Sequence, residues 1–238
     1  MNYRELLKSI EDEKYLINMV SAEDIILFGH SICLNQNSRV LDLCCGYGTM
    51  LKVWREVFGI TGTGVDRDLA FIETGRSRLQ DSCINLICGD VLQYADDVKY
   101  DVVVCTELST GLFSSFEEGI AFLERFIKPC GTLVFGKLFS EAVNPPHELI
   151  DFDGSLPTLN EICVEVRQCG YLLTAMVSGS TASWERYIMR DSKLSLDRLK
   201  KNPDDTGCAE WADKWHRMYF DYRRPYEGWA LFGIESIR

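Results

Sequence analysis

Between about residue 38 and residue 140 the chain alternates two patterns. Short apolar runs, "RVLDL", "TGTGVD", "INLICGD", "YDVVVCTE" and "GTLVFGKLF", are rich in Val, Ile, Leu and Thr. Unbroken runs of this kind predict strands buried on both faces. Between them, apolar positions recur at helical spacing. Met50, Val53, Trp54 and Val57 share one face, with Lys52, Arg55 and Glu56 opposite. Phe116, Ile120, Leu123 and Ile127 form a second face, which "KPCG" is expected to stop with Pro and Gly. Strand–helix alternation predicts an α/β fold: a parallel, doubly wound sheet with helices on both faces.

The pattern resumes at Thr158, where "TLNE" is a capping box. Thr158 bonds the first-turn amide and Glu161 reaches back. That helix is expected to end at Gly170, "YLLTAMVSG" to make a further strand, and "GWALFGIES" to close the chain. Two segments break the rhythm. Residues 1–37 read as helical, with Ser21 as an N-cap and Asp24 as a shorter stand-in at the capping-box position. Residues 181–227 are charged and aromatic with no strand signal, and a segment of that length predicts helices. Trp211, Trp215, Tyr219 and Tyr222 fall on one helical stripe there, a pattern that favours core packing over a substrate wall. The expected organisation is one domain over residues 1–238. A core (38–180 and 228–238) carries an N-terminal helical cover (1–37) and a helical aromatic insertion (181–227) as a lid or substrate region.

Charge narrows the partners. The formal net charge is −11 and the pI about 4.8, so phosphate backbones are repelled and no nucleic-acid partner is expected. No stretch approaches the ~20 apolar residues of a membrane span. The opening "MNYRELLKSIEDEK" lacks the apolar core of a signal peptide, which points to the cytoplasm. Ten cysteines occur without a C-x-x-C pair or a histidine at ligand spacing, so no metal is expected. Most sit in apolar runs, where a reduced thiol acts as a small buried hydrophobe.

In an open parallel sheet, ligands sit at the carboxyl ends of the strands. Here those ends carry Asp42 with the turn "CCGYG", then Asp66, Asp90 and Glu107, the three aspartates at equal intervals. Gly46 and Gly48 let the backbone come close to a ligand. A dinucleotide site requires G-x-G-x-x-G, but Leu51 stands at the third position. An edge of acids with almost no compensating base suits a cationic ligand better than a pyrophosphate.

These residues resemble the class I S-adenosylmethionine-dependent methyltransferases, well over residues 38 to 140 and loosely elsewhere. "VLDLCCGYG" resembles the family's first motif, D-x-G-x-G-x-G, with Cys44 in place of the first glycine. "GTGVD" resembles the second, whose acid binds the ribose, and "ICGDVLQY" the third, whose Asp accepts from the adenine amino group. "YDVVVCTE" and "LERFIKPCGTLVFG" resemble the fourth-strand motif and the entry to strand five.

The resemblance implies a Rossmann-like, seven-stranded, mostly parallel sheet with an antiparallel last strand. It implies S-adenosyl-L-methionine as cofactor and S-adenosyl-L-homocysteine as product. The cofactor-binding set would be Asp42, Cys44, Gly46, Gly48, Asp66, Arg67, Asp90, Val91, Thr106 and Glu107. A narrower similarity, in "INMVSAEDIILFG", "SWERY" and "YFDYRRPYEGWALF", is to a bacterial group of small-molecule-type methyltransferases. That group carries "G-E-P-[YF]-W" after strand five. Here "GKLFS" puts Lys137 at the Glu position, implying a reversed charge beside the acceptor pocket.

The expected activity is in-line methyl transfer to a small-molecule acceptor. The protein supplies orientation and electrostatics while the cofactor supplies reactivity. A non-catalytic S-adenosylmethionine-binding or scaffold protein is the alternative reading, and an RNA methyltransferase is disfavoured by the acidic composition. Two residues are candidates for catalysis. His147, in "SEAVNPPHELIDFDG", is a candidate general base with a loop residue as the competing reading. Glu107 lies either near the methionine moiety or at the cap of the following turn. His30 and His216 read as structural.

Overall fold

A computed structural model of the chain describes residues 15–106, 108 and 111–237. The described elements run α1 (Ala22–Ser31), β1 (Arg39–Leu43), α2 (Thr49–Phe58), β2 (Thr61–Asp66), α3 (Leu69–Leu79), β3 (Ile84–Cys88), β4 (Tyr100–Cys105) and α4 (Phe116–Leu123). After these come β5 (Ile127–Ser140), α5 (His147–Asp153), α6 (Leu159–Gln168), β6 (Tyr171–Ser178), α7 (Thr181–Lys201), α8 (Thr206–Arg217) and β7 (Glu227–Ser236). A π-helical turn, Met218–Arg223, continues α8.

The seven strands form one sheet in the order β3-β2-β1-β4-β5-β7-β6. The β1–β2, β1–β4, β2–β3 and β4–β5 pairs are parallel, and β7 runs antiparallel to both β5 and β6. This is the sheet the family resemblance implied. Successive strands are added on one side of β1 up to β3 and on the other side from β4 on, so the switch point lies between β1 and β4, where the carboxyl ends of the strands open onto a crevice.

Alternation along the central strands divides the core in two. Val40, Val102, Val104, Val134 and Leu231 face one cluster with Trp54, Phe28 and Trp184. Leu41, Leu43, Val103, Phe135 and Phe232 face the other with Leu123 and Ile162. Both faces are covered, which is why these runs lack polar alternation. Asp42 is the exception, a carboxylate in a strand whose other interior positions are apolar.

Local signals act where the residues place them. Ser21 caps α1 in a full capping box: its Oγ accepts from Asp24 N–H at 3.1 Å, and Asp24 Oδ2 accepts from Ser21 N–H at 2.8 Å. Thr158 and Glu161 do the same for α6. Each cap contributes about 1 kcal/mol.

The structure corrects several expectations. Of the ten cysteines expected mostly to be buried, only Cys105 is, because most of the others stand at strand ends, turns or exposed helix positions. The helix beginning at Phe116 ends at Leu123, and Ile127 opens β5 instead of closing a helical face. Tyr100 N–H donates to Phe126 O at 2.9 Å, so sheet pairing captures the chain before Pro129 is reached. The aromatic stripe is interrupted at Met218, because the π-helical turn changes the angular phase. Trp211, in a helix with no buried residue, is 44% exposed, whereas Tyr219 is buried and stacks on Trp184 at 5.9 Å. Lastly, the ammonium of Lys137 pairs with Glu165 of α6 at 2.6 Å and lies over the Phe116 ring. Its charge is neutralised within the α4–α6 layer.

Candidate functional site

The glycine turn between β1 and α2 is built from three left-handed residues at alternate positions: Cys44 (φ 64°), Gly46 (φ 54°) and Gly48 (φ 69°). Gly46 and Gly48 adopt this region freely. Cys44 carries a Cβ there, at a cost on the order of 1 kcal/mol. Its geometry persists because the amides of Cys44 and Cys45 both donate to Val65 O, at 2.8 and 3.1 Å. Gly48 then forms the N-cap of α2.

A cavity of about 420 Å³ opens at this turn. Asp42, Cys44, Gly46, Asp66, Arg67, Asp90, Val91 and Thr106 all line it, contributed by the ends of β1 to β4. Gly48 is absent from the wall and acts one layer behind it. Glu107 lies outside the described residues, as do residues 1–14 of the expected N-terminal cover.

The three aspartates differ in setting. Asp42 is 3% exposed, and burial, reinforced by the nearby Asp66 charge, pushes its carboxyl up from an ordinary 3.8 to about 8. Asp66 is half-buried; its Oδ2 accepts from Gly46 N–H at 2.8 Å and its Oδ1 from Asp68 N–H at 2.9 Å. Asp90 is exposed and accepts from Leu92 N–H at 3.0 Å, capping the short turn Val91–Gln93. Burial, followed by the Asp42 charge, raises the Cys45 thiol well above the usual range, so it stays protonated.

His147 is placed elsewhere. It is the first residue of α5, exposed to solvent, and does not line the cavity. The sequence leaves it either a general base or a loop residue in the segment after β5. The two prolines before it instead deliver the chain into a helix, with Pro146 at the N-cap. His30 is also exposed, edge-on to Phe58 at 4.9 Å. His216 is half-buried and meets Ser192 Oγ between α7 and α8.

No motif singled out the individual residues of the other wall. Tyr15, Leu16, Ile17 and Asn18 close the cavity on its N-terminal side, and Cys45, Thr49, Met50, Phe71, Gly111 and Leu112 complete it. Thr49 Oγ1 donates to Tyr15 O at 2.8 Å. Residues 1–37 read as helical in the sequence, but residues 15–20 form no α-helix or strand; the helix begins only at Ala22, after the Ser21–Asp24 capping box.

Among the described residues, no group of three or more His, Cys, Asp or Glu could hold a metal ion. None of the described helices is long and apolar enough to cross a membrane.

Comparison with known proteins agrees with this geometry. Residues 40–131 match the family model described as a methyltransferase domain. Over 236 residues the chain is 26% identical to the protein YjhP of Escherichia coli (strain K12), covering 94% of this chain and 95% of that one. A crystal structure of a SAM-dependent methyltransferase from Geobacter sulfurreducens, in complex with S-adenosyl-L-homocysteine, matches with a TM-score of 0.83. Its identity is 27%, with 92% of each chain covered. A second, from Thiobacillus denitrificans and in complex with the same molecule, gives a TM-score of 0.83 at 25% identity. It covers 99% of this chain and 98% of its own.

Proposed function

Starting from a chain that is a class I S-adenosylmethionine-dependent methyltransferase, we propose that its acceptor is a small molecule. The observation that carries the reading is the acidity of the chain, a formal net charge of −11 that repels a polynucleotide acceptor. The cavity of about 420 Å³, lined by acids from successive strand ends and walled by residues 15–18, is read as the cofactor's own site.

The residues present fit the cofactor. Bound there, S-adenosylmethionine supplies a methyl carbon made electrophilic by a sulfonium. Asp66 retains free lone pairs for two ribose hydroxyls while its backbone bonds fix its orientation. Asp90 and the Val91 amide would hold the adenine ring. Asp42, buried in the cavity lining, would face a cationic group with a poorly screened charge once ionised. The protein's share of catalysis is then orientation and electrostatic complementarity, with water excluded by the N-terminal wall.

Residues 15–37 and 181–227 act in this reading as a cover on the acceptor side. α1 packs on α2 and β6, and Trp184 and Ile188 of α7 belong to the same buried cluster as Trp54, so both parts are continuous with the core. A net charge of −11 weighs against a polynucleotide. The free thiols of all ten cysteines fit a reducing compartment such as the cytoplasm.

The test is methyl transfer from labelled S-adenosylmethionine to a cell extract separated into small-molecule, protein and RNA fractions. Label in the small-molecule fraction is expected. Incorporation confined to RNA or protein would overturn the proposal.

A further inference from the structure

Arg186 lies near the start of α7, outside the cavity wall and outside every cofactor motif. Its guanidinium donates to three backbone carbonyls of one short segment. Nη1 reaches Leu16 O at 3.3 Å, and Nη2 reaches Asn18 O at 3.1 Å and Val20 O at 2.7 Å. These acceptors sit on alternate residues of a run that has no regular helix or strand of its own. A planar fork of five N–H donors can bridge several fixed carbonyls at once; a lysine ammonium is a single point charge and cannot match that span.

The segment so held is the N-terminal wall of the cavity. Leu16, Ile17 and Asn18 line it, and Ile17 Cδ1 lies only 3.0 Å from where a Cβ on Gly46 would stand. Ile17 therefore rests directly on the glycine turn. At its near end, the wall is tied to the core by Thr49, by edge-on packing of Tyr15 on Tyr47 at 5.1 Å, and by Arg78 over the Tyr15 ring at 3.4 Å. At its far end, the ties come from the insertion side. Arg186 holds the carbonyls, and Gly179 allows a backbone approach so close that a Cβ there would fall 2.0 Å from Met19 O.

We infer that Arg186 is a positioning residue for the cofactor. It seats residues 16–20 against the glycine turn, and so makes cofactor retention depend on the position of the insertion helix. Any displacement of α7 on the acceptor side is transmitted to the cofactor wall through this side chain. The identity of the ligand rests on the methyltransferase reading; the contact itself does not.

The experiment compares the wild-type chain with Arg186→Met and Arg186→Lys. Three quantities are measured: S-adenosyl-L-homocysteine affinity and dissociation rate, melting temperature, and amide hydrogen exchange over residues 16–20 without ligand. Arg186→Met is expected to raise Kd and the dissociation rate about tenfold, equivalent to ~1.4 kcal/mol, and to speed exchange in the segment while the central strands keep theirs. Arg186→Lys is expected to recover less than half of the lost affinity, and it decides the matter if the Met variant does not fold. Ile17→Ala, with all three carbonyl bonds intact, is expected to weaken affinity in the same direction.

A merely structural arginine would lower the melting temperature and leave the dissociation rate unchanged; that result overturns the inference, as does unaltered exchange at 16–20 in both variants. Failure of the wild type to bind S-adenosyl-L-homocysteine would instead overturn the reading of the cavity, since the exchange measurement is made without ligand.

Discussion

The carboxylate of Asp66 accepts a hydrogen bond from the backbone amide of Gly46 at 2.8 Å. This bond joins the end of β2 to the turn after β1, so one side chain both shapes the turn and faces the cavity. Asp66→Ala should then lose twice. Cofactor affinity is expected to fall about ten- to a hundredfold, from roughly 1.5–3 kcal/mol of charge-assisted bonding. The ligand-free protein should also melt lower, because the Gly46 and Asp68 amides lose their acceptor. Asp66→Asn keeps one acceptor oxygen but turns an NH2 toward the second amide, and should recover only part of the stability and less of the affinity. Calorimetry and thermal melts on both variants check this; an unchanged dissociation constant in Asp66→Ala would remove the assignment.

Asp42 gives the cavity a pH dependence. Its carboxyl is pushed from 3.8 up to about 8 by burial and by Asp66, so near neutral pH the empty site holds it protonated. A cationic ligand favours the ionised form, and binding must then release a proton. S-adenosylmethionine affinity is expected to rise between pH 6 and pH 8, by up to about tenfold per pH unit, and to level off above. Asp42→Asn should bind more weakly at pH 8 and show a flat profile. Titration in buffers of different ionisation enthalpy counts the proton directly.

Glu227, at the start of β7, is buried with neither oxygen hydrogen-bonded. The nearest cation, Arg223, lies 3.6 Å away and is already committed to Asp153, with Nε to Oδ2 at 2.8 Å. Burial, then the Asp153 charge, pushes the Glu227 carboxyl from 4.5 up to about 7. The sign follows from a raised folded pKa: the folded state binds a proton that the unfolded chain has lost. This contribution is whole below pH 4.5 and disappears as pH rises through 7, a difference of roughly 3 kcal/mol. Glu227→Gln should flatten this part of the stability profile between pH 5 and pH 8, as read by urea melts. A wild-type stability that increases steadily across that window would contradict the placement.

His147 stands exposed at the start of α5, away from the cavity wall. A general base must reach the proton it removes, at about 2.6–3.2 Å or through one water. His147→Ala is therefore expected to leave both cofactor affinity and turnover within twofold of wild type from pH 6 to pH 8. A loss of turnover confined to that pH range would return the histidine to the reaction.

Much of this molecule is written in local patterns. The apolar runs specified buried strands because both sheet faces are covered, and the boxes at Ser21–Asp24 and Thr158–Glu161 specified helix starts through bonds within one turn. The strand-end acids were visible because a βα repeat returns the chain to the same sheet edge at each unit, so Asp42, Asp66 and Asp90 had to converge. Tertiary structure decided what depends on distant partners. Ile127 joined a strand because Tyr100 and Phe126 met across the sheet. Lys137 turned to Glu165 on a helix that follows it in the chain. The wall at residues 15–18 took its place through Thr49 and Arg186, contacts spanning 34 and up to 170 residues, between groups that no periodicity relates. Asp42 was legible as an acid at a strand end, but its protonation was not: that follows from the depth of burial and the nearby Asp66 charge, which exist only once the sheet is assembled.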